Sequence, residues 1–86
     1  MITNDKFKTA LNSKVGYLTR YYVDINNVTP AVAYSRITKT YVYKILCDRN
    51  SRLFLESVNL IRDALEIEFT QGSEKAALYL KENIGG

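Results

Sequence analysis

The chain has 86 residues and a mass of 9.8 kDa, the size of one small domain whose core is marginal at this length. Apolar residues make up 47% and charged residues 24%, which places it with globular chains rather than disordered ones. Its net charge of +3 comes without any histidine or tryptophan and with Cys47 as the single cysteine, so histidine acid–base work, Cys–His nucleophiles, histidine-rich metal sites and an internal disulfide are excluded. No enzyme, metal or cofactor is therefore expected, and a reducing cytoplasmic setting fits. No apolar run approaches the ~18–20 residues of a membrane span, and no membrane partner is expected. Met1-Ile2-Thr3-Asn4-Asp5-Lys6 does not lead into the apolar region of a signal peptide.

From the N-terminus, Phe7, Leu11, Val15, Leu18 and Tyr22 recur every three or four residues, which predicts a helix over residues 5–22. Asn12-Ser13 and Gly16 weaken its middle, so two helices with Ser13 capping the second are also expected. Residues 24–27 read as a turn. Asn27 or Thr29 caps the next helix, and Pro30 suits its first turn, where a missing N–H costs nothing. Ala31, Val32, Ala33 and Tyr34 make that helix short and small-faced. Residues 36–38 read as a tight turn, with Thr38 capping a third helix over residues 39–47 that turns Tyr41, Val42, Ile45 and Leu46 inward. A fourth helix is predicted over residues 53–65, with Phe54, Leu55, Val58, Ile61 and Leu65 inward. Glu66-Ile67-Glu68-Phe69 alternates, as an extended stretch or a helix end, with both glutamates solvated. Gln71-Gly72 breaks the chain, and Ser73 with Glu74 opens a last helix through Ala77, Leu80 and Ile84 to Gly85-Gly86. The fold class is all-α: a compact bundle of about five helices.

Charge is unevenly spread. Residues 1–52 carry nine basic groups against three acids, whereas residues 53–86 carry three against six. Between residues 36 and 52, Arg36, Lys39, Lys44, Arg49 and Arg52 meet only Asp48. Such a half points to a polyanion, because Lys and Arg gain affinity by releasing counterions from phosphates. A solvated basic face is the plain alternative. Two short helices over residues 30–35 and 39–47, joined by a tight turn, also match the spacing of a helix-turn-helix. There the first helix needs small inward residues, met by Ala31 and Ala33. The second needs polar groups at its start to reach base edges, met by Thr38, Lys39 and Thr40.

The stretch Ile37-Thr38-Lys39-Thr40-Tyr41-Val42-Tyr43-Lys44-Ile45 resembles the recognition helix of the Cro and phage-repressor helix-turn-helix family. Leu55-Glu56-Ser57-Val58-Asn59-Leu60-Ile61-Arg62-Asp63-Ala64-Leu65-Glu66-Ile67 is similar to that family's fourth helix, and Val15-Gly16-Tyr17-Leu18-Thr19-Arg20-Tyr21-Tyr22 to its first. Arg36 stands where the family usually carries glycine, and the opening of the short helix departs from the family's pattern. The resemblance implies a lambda-repressor-like domain with its DNA-binding core over residues 13–69, and a C-terminal helix over residues 70–86 that dimerises. It further implies a sequence-specific regulator, a Cro-like repressor, that binds double-stranded DNA in the major groove as a homodimer on a palindromic operator.

On this reading Thr38, Lys39, Thr40, Tyr43 and Lys44 face bases or phosphates, and Arg36, Arg49 and Arg52 face the backbone. Tyr43 either meets a thymine methyl or sits half-exposed. Cys47 is expected as a small buried hydrophobe. Leu55, Val58, Phe69, Leu78 and Leu80 are the dimer candidates. The alternative is a protein-interaction module of the same fold, such as an antitoxin or a phage assembly component.

Overall fold

The computed structural model describes residues 3–84. Five helices follow one another: α1 (Asn4–Asn26), α2 (Pro30–Ile37), α3 (Tyr41–Cys47), α4 (Val58–Gln71) and α5 (Ser73–Asn83). Two single 3-10 turns, Arg49–Ser51 and Leu53–Leu55, separate α3 from α4, and no strand occurs among the described residues.

Of the two readings of the first helix the unbroken one holds: α1 is one continuous helix of 23 residues, and it runs on to Asn26 through most of the stretch expected as a turn over residues 24–27. Thr3 caps its start by accepting from the Lys6 N–H at 3.2 Å. It ends at Asn27, whose left-handed backbone (φ 54°) lets its N–H reach the Val23 carbonyl at 2.9 Å. Gly16 costs the helix ~1 kcal/mol relative to alanine. The N-terminal half is nevertheless held, because Phe7 sets its ring edge-on to Phe54 at 4.7 Å, with Ala10 and Leu11 packed on the same core.

Thr29 caps α2 and Pro30 occupies its first turn, as the sequence predicts. α2 lies mainly on α1, while α3 lies on α4, α5 and the Leu53–Leu55 turn. Ala33 is fully buried, but Ala31 is exposed, so only one of the two small residues faces inward. The predicted start of the third helix shifts as well. Thr38 closes α2, and Thr40 caps α3 by accepting from the Tyr43 N–H at 3.1 Å.

The predicted fourth helix begins later than expected. Leu53 and Phe54 enter the core from a 3-10 turn rather than a helix, and Leu55 faces outward at 47% exposure. Arg52 before them has φ 61°, a backbone state that reverses the chain between the two turns. Ser57 then caps α4 by accepting from the Leu60 N–H. The stretch Glu66-Ile67-Glu68-Phe69 is helical and belongs to α4. Gly72, at φ +100°, turns α4 directly into α5, a conformation that any other residue would strain. The expected helix end at Gly85-Gly86 lies outside the described residues.

One core unites these elements. Leu18, Ile37, Val42, Leu46, Leu53, Phe54, Ile61, Leu65 and Leu80 come from every helix and are almost wholly buried. Leu80 is therefore a core residue at 3% exposure and not a dimer contact. Among the described residues no helix is long and apolar enough to cross a membrane.

Candidate nucleic-acid interface

The tight turn over residues 38–40 separates α2 from α3 and carries the first three sequence candidates. Lys39 is exposed. Thr38 is half-buried and donates its hydroxyl to the Ser35 carbonyl at 3.1 Å, a local bond that leaves the oxygen able to accept. Thr40 is different. It is 8% exposed, donates to the Ile37 carbonyl at 2.7 Å and accepts from the Tyr43 N–H, so its hydroxyl closes the turn from inside. Thr40 is thereby removed from the set that a nucleic acid can touch.

The start of α3 is occupied by a group that sequence reading set aside as solvated. Glu68, projecting from α4, accepts the Tyr41 N–H at 2.7 Å and the Val42 N–H at 2.9 Å, and the Ser73 hydroxyl donates to the same carboxylate at 3.0 Å. The first N–H groups of a helix have no partner within it and carry partial positive charge, so a carboxylate satisfies both needs. A signal for this was present in the sequence: Ile61, Leu65 and Glu68 fall at helical spacing on one inward face.

With its start covered, α3 presents its side rather than its tip. Val42 and Leu46 are buried, while Tyr41 (37% exposed) and Lys44 face outward. Tyr41 was expected in the core; the turn of the helix that buries Val42 puts it outside. Tyr43 is half-buried, with its hydroxyl near the Cys47 thiol and the Tyr34 hydroxyl of α2. Those two contacts, the thiol first, together with burial hold its pKa above the usual tyrosine value. Cys47 is half-buried rather than enclosed.

The arginines divide between two ends of the molecule. Arg36 donates to the Tyr22 hydroxyl at 3.1 Å and lies 6.0 Å above the Tyr22 ring, which in turn packs on Phe69. Arg49 donates to the Asn4 side chain at 2.6 Å and lies 5.9 Å above the Phe7 ring. Asn4 and Tyr22 are separated by about 27 Å along α1 at ~1.5 Å per residue. The structure thus does not gather the eight candidates at one point. The α1 residues that hold Arg36 and Arg49 lie apart by a length equal to about eight nucleotide steps of ~3.4 Å.

These cations are electrostatically unspent. Among the described residues the one ion pair is Arg62 with Asp63, at 3.4 Å on α4. Arg36, Lys39, Lys44, Arg49 and Arg52 take part in none. Arg36 and Arg49 are instead splayed over aromatic rings by neutral hydrogen-bond acceptors, which orients a guanidinium without cancelling its charge.

In comparisons with known proteins, no family model, no curated protein and no solved structure matches the chain.

Proposed function

We propose that the protein is a double-stranded DNA-binding regulator that docks through the basic segment from Arg36 to Arg52. The observation that carries this reading is a run of five cations, Arg36, Lys39, Lys44, Arg49 and Arg52, met by the single acid Asp48 within 17 residues, with Arg36 and Arg49 held over aromatic rings by neutral acceptors. Cations spread over such a length suit a polyanion that is itself extended, because each phosphate they neutralise releases counterions.

The unit α2–turn–α3 is read as a variant of the lambda-repressor-like helix-turn-helix. The residue pattern of α3 and α4 supports it, as does the order of short helix, three-residue turn and short helix. The Glu68 carboxylate at the start of α3 argues that bases are met by the outward side of that helix, at Tyr41 and Lys44. Lys39, Arg36, Arg49 and Arg52 then meet phosphates, which position the protein without reading sequence. Action as a homodimer on a palindromic operator, with half-sites one helical turn or ~34 Å apart, completes the proposal.

Selection of bound duplexes from a randomised library tests it, followed by affinity measurement across salt concentrations. A palindromic motif is expected. The slope of log affinity against log salt should be about −4 to −5 if five phosphates are neutralised. Recovery of no motif together with a flat salt dependence sinks the DNA reading in favour of a protein-interaction module.

A further inference from the structure

α5 is held to the rest of the protein, mainly to α4 and α3, by one stripe. Ala76 and Leu80 of that stripe are buried, and Tyr79 and Ile84 pack beside them. Leu78 lies midway between Ala76 and Leu80 in sequence, which at 100° per residue puts it diametrically opposite them around the helix. It is accordingly 50% exposed, a large apolar side chain at the centre of the outward face. Four exposed charges stand around it: Glu74, Lys75, Lys81 and Glu82.

These charges read the same in both directions. Counted from Leu78, a lysine lies three residues away and a glutamate four residues away on either side. Within α5 none of the four has an opposite charge at the i, i+3 or i, i+4 spacing that lets side chains meet on one helix. All four nevertheless lie within about 60° of the Leu78 direction, so they flank the leucine instead of ringing the helix. Lys75 and Glu82 fall on one flank, Glu74 and Lys81 on the other.

We infer that α5 is the surface through which two copies of this chain join, antiparallel and leucine to leucine at Leu78. A two-fold interface requires one patch to be complementary to itself, and this arrangement is. When the second α5 runs antiparallel, Lys75 comes within one residue's rise, ~1.5 Å, of the level of the partner's Glu82, and Glu74 does the same with the partner's Lys81. By symmetry every charge meets its opposite. A parallel copy would also pair the charges, but it would set like ends of two helix dipoles side by side. Exposed ion pairs add little affinity, so they fix partner and direction while Leu78 makes the contact. The patch is about 16 Å long, shorter than a permanent interface needs, and a dissociation constant between about 10 μM and 1 mM is expected. The inference deepens the homodimer proposed above and rests on that reading for its purpose: adjacent half-sites would raise the effective concentration to about millimolar, where such weak pairing suffices.

The test is sedimentation equilibrium of the full chain without nucleic acid, at low ionic strength, where exposed pairs are least screened. Two charge-reversed chains are compared with the native one: Lys75→Glu with Lys81→Glu, which makes the face wholly acidic, and Glu74→Lys with Glu82→Lys, which makes it wholly basic. Each alone should self-associate at least tenfold more weakly than the native chain, and an equimolar mixture should recover native or tighter association. Leu78→Ala should weaken the native dimer by about tenfold. All these residues are exposed, and thermal melts confirm that the variants fold. A native chain that stays monomeric up to about 1 mM, self-association unmoved by these variants, or a mixture no tighter than either reversed chain alone would overturn the inference. Failure here is distinct from failure of the DNA reading: a monomer that still selects an operator sinks only the α5 interface, and a charge-dependent dimer that selects no duplex sinks only the DNA reading.

Discussion

The Glu68 carboxylate accepts the Tyr41 N–H at 2.7 Å, tying the last turn of the fourth helix to the first residue of the third. Because the same group also accepts from Val42 and Ser73, one side chain joins α3, α4 and α5. α3 has only seven residues, too few to be stable on propensity alone, so its ends and its packing must hold it. Glu68→Ala should therefore destabilise the protein by about 1–2 kcal/mol, the range for losing a charged cap. Glu68→Gln, which keeps an acceptor oxygen but loses the charge and one acceptor, should cost less. Urea denaturation of the two variants beside the native chain checks the order, and equal stability of all three would refute the cap.

Gly16 lies within an otherwise regular helix, and a Cβ built on it meets nothing within 4 Å. Its backbone is helical, so alanine fits without strain and restricts the unfolded chain. Gly16→Ala should stabilise by ~0.5–1 kcal/mol, which for a domain of this size raises Tm by roughly 4–8 °C per kcal/mol. A fall in Tm on calorimetry would mean that the glycine has a packing role invisible in the folded chain.

Residues of the basic segment from Arg36 to Arg52 should separate by function. Lys44→Ala is expected to cost ~1–3 kcal/mol at a selected operator and to relax base preference, whereas Arg52→Ala should weaken all duplexes alike and reduce the salt slope by about one. Thr40→Ala should behave differently from both, lowering stability by ~1 kcal/mol through loss of the α3 cap. Affinity across salt and a melt for each variant distinguish them. Equal affinity of native, K44A and R52A protein would exclude docking through this face.

Tyr43 predicts how stability depends on alkali. Its hydroxyl contact with Cys47, its burial and its contact with Tyr34 raise its folded-state pKa above the usual tyrosine value of about 10. A raised folded value means that its contribution is fully present below the unfolded value and is lost as pH rises through the folded one. Tyr21 shifts in the same direction through its bond to Glu66, but that bond is at the surface, where solvent screens it, and it contributes little. Stability measured in urea should thus be flat from neutral pH to about 9 and fall above about 10. Tyr43→Phe should flatten that decline. An unchanged alkaline slope in Y43F would show that other groups govern it.

Thr29 and Pro30 at the start of α2, the apolar spacing from Phe7 to Tyr22, and the glycine turn before Ser73 are all readable in the sequence by itself. Each is settled within one turn of chain, by a capping oxygen, a fixed φ or a 3.6-residue period. The uneven charge is legible for the same reason, since it is a property of the residue order. What only the tertiary structure decided depends on partners far apart. Phe7 finds Phe54 and keeps α1 whole despite Gly16, and Arg49 finds Asn4 across 45 residues. Glu68 finds Tyr41 across 27 residues and, with Thr40, moves the start of α3 two positions beyond the expected cap at Thr38. Local propensities were nearly equal for Thr38 and Thr40. The choice fell to the one whose hydroxyl could be buried against Ile37 while a carboxylate from a distant helix covered the N–H groups that followed.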